Sequence, residues 1–169
     1  MDLIVKSKHL AVWNGHEFRC AVGRNGFATA QDKKEGDGAT PIGRWIVRDV
    51  FYRPDREKPP ATVLPVRRLQ PNDGWCDSPR HPEYNRHIVI PFKESAECLW
   101  REDPLYDIIA VLGYNDDPVV PGKGSAIFLH IAKPDFSPSA GCIHLSREDL
   151  LTVLREADRG SAVLVSPST

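Results

Sequence analysis

Three features of the 169-residue sequence predict a mostly β fold with a few short helices. Its apolar runs are short, of the roughly four to eight residues that suit strands. Glycine and proline, 12 and 15 residues, punctuate them and break long helices. Only the stretch after Ser146 combines helical spacing with a capping residue. The length suits one domain, residues 1–169, able to bury a core without disulfides or a structural metal.

The elements follow in order. Leu10–Trp13 and Glu17–Val22 flank Asn14-Gly15, a pair that accepts positive φ at both positions and so predicts a hairpin. A further strand is expected over Trp45–Arg53, reached through the loop KKEGDGATPIGRW, whose glycines and proline restrict its path. Pro54–Glu83 is rich in proline and charge, but DGWCDSPRHPEYNR holds Trp75, His81, Tyr84 and Arg86. It reads either as an ordered wall of a substrate site or as a surface loop whose Trp75 tucks into the core. Strands resume at His87–Phe92 and Tyr106–Leu112, with a short helix expected around Ser95–Trp100.

Ser125–Ala132 is an apolar run bounded by glycine and proline, expected to be a strand buried on both faces. His130 then lies near its C-terminal end. Beyond it, Ser146 is a natural helix N-cap, Asp149 fills the acidic third position, and Gly160 is expected to stop the helix. Ala162–Val165 supplies a last strand. No internal repeat and no second domain stand out.

Charge narrows the partners. Lys and Arg number 22 against 23 Asp and Glu, for a net charge of −1, so no electrostatic footprint for nucleic acid or membrane is present. The opening MDLIVKSKHLAVWNGHEF has no apolar run longer than Leu3–Val5, short of a secretory core. The expected location is therefore the cytoplasm, or the periplasm if a leader has been removed. Cys20, Cys76, Cys98 and Cys142 form no CxxC pair and are expected as free thiols in a reducing compartment; an extracellular setting would permit two bridges.

SPSAGCIHLS, Ser137 to Ser146, carries the chemistry. Ala140 and Gly141 leave room beside Cys142, and backbone N–H groups in such a turn can favour a thiolate and hold an oxyanion. A buried His130 needs a polar partner, and a strand-end histidine can meet a turn cysteine to remove its proton. Three readings compete for His130, Cys142 and His144: nucleophile plus base, a His/Cys metal site, and coincidence. Zinc ligands usually come in tighter pairs such as CxxC or HxxxH, which are absent here. No cofactor and no metal site are expected.

HIAKPDFSPSAGCIHL resembles the catalytic signature of the L,D-transpeptidase (YkuD) family: a histidine, then Ser-x-Gly-Cys and an aliphatic residue. TPIGRW, Thr40 to Trp45, resembles that family's upstream Thr-Pro-x-Gly-aromatic motif, about a hundred residues earlier. The resemblance implies a β-sandwich or open barrel with the nucleophile in a turn between a strand and a capped helix. It implies Cys142 as nucleophile and His130 as base, with Ser139 and Gly141 shaping the turn and its oxyanion donors. The implied partner is a peptidoglycan tetrapeptide or muropeptide, acylated at the L-centre of diaminopimelate with release of D-alanine.

The sequence departs from that pattern at Ile131, Ala140 and His144, where the family usually shows glycine, histidine and arginine. Histidine is only partly charged near neutrality, whereas arginine grips a carboxylate with two bonds. Carboxylate binding is therefore expected from another cation, Arg86 or Arg44, with Trp75 and Tyr84 as further substrate contacts and His144 either a substrate contact or a solvated helix-entry residue. With water as the abundant cytoplasmic acceptor, the expected outcome is an L,D-carboxypeptidase of muropeptide recycling. A cross-linking or exchanging transpeptidase and a non-catalytic peptide-binding module are the alternatives.

Overall fold

Alternating burial sets the first strands. In the computed structural model, which describes residues 1–167, β1 (Asp2–Val5) and β2 (Leu10–Trp13) fully bury every second side chain, as a sheet with one face on a core requires. β2 turns into β3 (His16–Ala21) through Asn14 and Gly15, at φ of 49° and 82°. The predicted hairpin is present. β4 (Phe27–Ala28) and β5 (Thr40–Pro41) then bracket the glycine loop as a short parallel pair.

β6 (Gly43–Tyr52) is the long strand on which the sheet closes. Its first part pairs with β14 (Ala162–Val165) and its second with β11 (Ile108–Leu112), while β7 (Val66–Arg68) adds to its end. Between these lie β12 (Phe128–Ile131) and β13 (Ile143–Leu145). The order β11-β12-β13-β3-β2-β1-β14-β6 returns to β11 as an eight-stranded barrel. The expected β-rich architecture is observed, and closure pairs strand edges that an open sheet would expose.

The excursion between β7 and β11 is ordered. β8 (Asp73–Cys76), β9 (His87–Val89) and β10 (Ala96–Cys98) form a separate three-stranded sheet in the order β10-β8-β9. The helix expected around Ser95–Trp100 is instead β10, antiparallel to β8 with Glu97 opposite Trp75. So short a helix has a costly nucleus, whereas the β8 edge offers ready backbone partners. A 3₁₀ turn at Pro104–Tyr106 leads into β11.

Side-chain parity divides the core. Ile108, Ala110, Leu129, Ile131, Ile143 and Leu145 belong to the main cluster, with Leu150, Val153 and Leu154 of α1 (Arg147–Glu156). Ile109, Val111, Phe128 and Cys142 join a second cluster with Trp75, Leu105 and Tyr106. β12 is thus buried on both faces, as its unbroken apolar run predicts. The even-numbered side chains of β12 and β13 face the excursion, which places the chemistry outside the main cluster.

Ser146 caps α1 by accepting from Asp149 N–H and donating to the Asp149 carboxylate. Gly160 does not end the helix. The helix stops at Ala157, whose backbone becomes extended, and the Asp158 carboxylate then receives the Gly160 N–H.

Candidate active site

The turn before Cys142 is built from small residues and fastened from behind. Gly141 has φ of +148°, and a β-carbon there would lie 3.0 Å from the Ala39 carbonyl oxygen; glycine alone accepts both constraints easily. Thr40, fully buried, donates its hydroxyl to the Gly141 carbonyl at 2.8 Å and accepts the Gly23 N–H at 2.9 Å. Ser139 Oγ accepts the Gly141 N–H and donates to the Cys142 carbonyl, at 2.9 and 2.7 Å. With its own N–H taken by Ser139, Gly141 shapes the turn and is not itself an oxyanion donor. The Cys142 turn leads into β13 before reaching the capped helix.

This fastening carries a prediction. Thr40→Val keeps the shape but strands two buried backbone groups, each costing about 1–3 kcal/mol. Thermal or denaturant unfolding should show the loss, and thiol alkylation of the still-folded variant should report an altered Cys142. Unchanged stability and alkylation would remove Thr40 from the site.

His130 on β12 stands opposite His144 of the parallel β13 in register, and Cys142 immediately precedes β13. The thiol donates to the Ala126 carbonyl at 3.2 Å and receives the Phe128 N–H at 3.4 Å. Ala126 itself sits at φ of 53°, a region that non-glycine residues rarely adopt. His130 is two residues beyond Phe128, a step of about 7 Å along a strand. Among the described residues no hydrogen bond joins thiol and ring; such pairs commonly tighten only when substrate binds. His130 Nδ1 lies 2.9 Å from its neighbour's carbonyl, Ile131 O. With a proton on Nδ1, that bond leaves Nε2 as the basic nitrogen.

Burial dominates the electrostatics. It pushes the Cys142 thiol up to about 12, with the Glu97 carboxylate adding to the effect and the Phe128 N–H and Tyr106 hydroxyl opposing it. It pushes His130 down to about 3, assisted by the neighbouring His144. The resting pair is therefore thiol and neutral imidazole, not an ion pair. Tyr106 sets its ring edge-on to His130, with centroids 4.9 Å apart, and donates its hydroxyl to the Glu97 carboxylate.

Both side chains line a cavity of about 520 Å³, which they share with His144, Ser139, Gly141 and Tyr106. Its charged lining is mixed: Arg24, Lys33, Arg101 and Lys133 stand with Glu35, Asp77 and Glu97. Burial holds the Glu97 carboxyl above its usual range, with Arg101 opposing and Asp77 and Glu35 adding to it, while Lys133 lies toward His144. Among the described residues no three His, Cys, Asp or Glu side chains are arranged to hold a metal ion.

Four residues singled out for substrate binding do not line this cavity. Arg44 points to the terminal strands, where its guanidinium holds both Asp2 oxygens at 2.7 Å and the Gly160 carbonyl at 2.9 Å. Its place on β6 opposite Leu164 fixes that direction. Arg86 lines a second, smaller cavity of about 280 Å³. Trp75 is core: its Nε1–H donates to Asn85, and its ring meets Phe128 edge-on at 5.1 Å. Tyr84 is buried behind the site, donating to Glu35 and accepting the Gly124 N–H.

Sequence reasoning passed over Glu97, Tyr106, Lys133 and the precise task of Thr40. Lys133 stands inside the quoted HIAKPDFSPSAGC stretch, three residues after His130, where its position alone was a signal. Glu97 was obscured by the helix expected there. No curated protein matches the chain. The family model described as the YkuD L,D-transpeptidase catalytic domain matches residues 3–165.

Proposed function

The chain belongs to the L,D-transpeptidase catalytic-domain family, whose chemistry is cysteine acyl transfer on peptidoglycan, and on that premise we propose that it is an L,D-carboxypeptidase with Cys142 as nucleophile and His130 as base. The supporting observation is one cavity that holds both side chains beside a tightly fastened turn. Cys142 Sγ forms a bond to the L-centre carbonyl of diaminopimelate as its proton passes to His130. The C–N bond then breaks, and His130 returns that proton to the departing D-alanine nitrogen. Water next attacks the thioester, gives a proton to His130, and restores the thiol as the peptide leaves with a new carboxyl group.

About 520 Å³ suits one peptide end, and the smaller cavity contains neither Cys142 nor His130. The setting we propose is recycling of soluble muropeptides in the cytoplasm, where water outnumbers any acceptor amine. A second reading rests on Glu35, Asp77 and Glu97, three carboxylates in the lining that a cationic acceptor amine would approach in transpeptidation.

Incubation with a disaccharide tetrapeptide, with and without excess D-amino acid, separates these outcomes. Tripeptide plus free D-alanine in both mixtures is expected. Exchange or dimer products would replace the carboxypeptidase by a transpeptidase, and binding without turnover would replace both by a peptide-binding module.

A further inference from the structure

A strained residue holds the thiol. Ala126, at φ of 53°, occupies the left-handed region, where the β-carbon crowds the carbonyl oxygen and an alanine stays only if its surroundings over-determine it. Its carbonyl accepts the Cys142 S–H at 3.2 Å, while the Phe128 N–H approaches the sulfur at 3.4 Å. These two contacts set where Sγ points before substrate arrives. Whatever fixes Ala126 therefore fixes the thiol.

The Ala126 N–H leads to one side chain. Asn85, 6% exposed, accepts it on Oδ1 at 3.0 Å and accepts the Trp75 Nε1–H on the same oxygen at 2.9 Å. Its Nδ2 donates to the Tyr114 and Asn115 carbonyls at 3.0 and 2.8 Å. Every hydrogen-bonding position of the amide is thus engaged, and the flipped orientation would set donors against donors and acceptors against acceptors. The Asn85 backbone is fixed in turn, its N–H reaching the Cys76 carbonyl at the end of β8 at 2.9 Å. The residues before Ala126 are pinned as well, the Gly124 N–H by the Tyr84 hydroxyl and the Ser125 hydroxyl by Glu35. Ala126 cannot relax to an ordinary φ without giving up a buried hydrogen bond.

We propose that Asn85 is a positioning residue for acyl transfer: it holds Ala126 so that the Ala126 carbonyl keeps the Cys142 S–H engaged and Sγ aimed until the proton passes to His130. This rests on the reading of Cys142 as nucleophile and gives the ordered excursion a task, that of bracing the thiol. Asn85 lies outside the lining of the larger cavity and acts through Ala126. A carbonyl that accepts S–H favours thiol over thiolate, so the same hold keeps the idle thiol unreactive.

The test reads Cys142 with iodoacetamide between pH 7 and 9, by peptide mass spectrometry, and needs no substrate. Asn85→Ala releases the Ala126 N–H and is expected to raise Cys142 alkylation about 3- to 10-fold at each pH, the span of one lost hydrogen bond. Asn85→Asp keeps the accepting oxygen and adds a negative charge, so alkylation should stay at the wild-type rate or fall, even though both donated bonds are lost. A purely structural role would move the two variants in the same direction. Lys33, Glu97, Tyr106, His130 and His144, the ionisable side chains that share the cavity with the thiol, are unchanged in both. Should Asn85→Ala not fold, Asn85→Ser, whose oxygen stops one bond short of the Ala126 N–H, carries the same expectation. With a tetrapeptide, Asn85→Ala should lower kcat about 10- to 100-fold and leave KM within about twofold. Alkylation unchanged in Asn85→Ala, or raised equally in Asn85→Asp, would overturn the positioning role. The expected alkylation pattern, together with no peptide turnover by the wild type, would uphold the hold on the thiol and overturn the functional reading.

Discussion

Replacing Cys142 with alanine is expected to lower turnover of a tetrapeptide by about 10⁴-fold or more, while the barrel stays folded. In the proposed mechanism the thiol forms the acyl intermediate, and the fastening of its turn does not use it. Thr40 holds the Gly141 carbonyl, and Ser139 holds the Gly141 N–H and the Cys142 carbonyl. Circular dichroism and the unfolding midpoint should therefore change little. Intact-protein mass spectrometry after a carbapenem should show an adduct on the wild type and none on the variant. An adduct that persists in Cys142→Ala would move the nucleophile elsewhere.

Replacing His130 with glutamine is expected to cost about 10²- to 10⁴-fold at neutral pH and to change the shape of the pH profile. A thiol held at about 12 is ionised to only about one part in 10⁵ at pH 7. Without a base, attack waits for that fraction, so residual activity should rise about tenfold per pH unit through the alkaline range. The wild type behaves differently. Burial keeps His130 unprotonated far below the ordinary 6.5, with His144 and Arg101 acting in the same direction and the Ile131 carbonyl opposing them. Protonation removes the base, so activity is lost as pH falls, and that acid limb should lie below about pH 5. Apparent pKa values from such a profile belong to the Cys-His pair. Parallel profiles for wild type and His130→Gln would remove His130 from proton transfer.

Much of the frame was legible because its signals are local. Asn14-Gly15 dictates a hairpin from two residues, and Ser146 with Asp149 dictates a helix start from four. The unbroken apolar run ending at Ile131 announced a strand buried on both faces. What escaped depends on partners far away in sequence. Nothing near Ser95 reveals that β8 stands ready to pair there, so a tertiary ladder overrode the local preference. Arg44 and Arg86 were attractive as cations, but charge type does not tell which way a strand turns its side chains. Parity does: once β12 and β13 are aligned, Phe128, His130 and His144 share a face, and Cys142 immediately precedes β13.

The Thr40 joint has a consequence for the order of assembly. The hydroxyl and the carbonyl that it holds are 101 residues apart in the chain, and closing so long a loop pays its entropy before the contact returns anything. The barrel strands on either side bring the two groups together. The Cys142 turn therefore keeps its shape only while the segments that carry Thr40 and Gly141 stay together. A local opening of residues 29–41 would silence the thiol while the barrel remained closed, so reactivity and global stability of this protein can be lost separately.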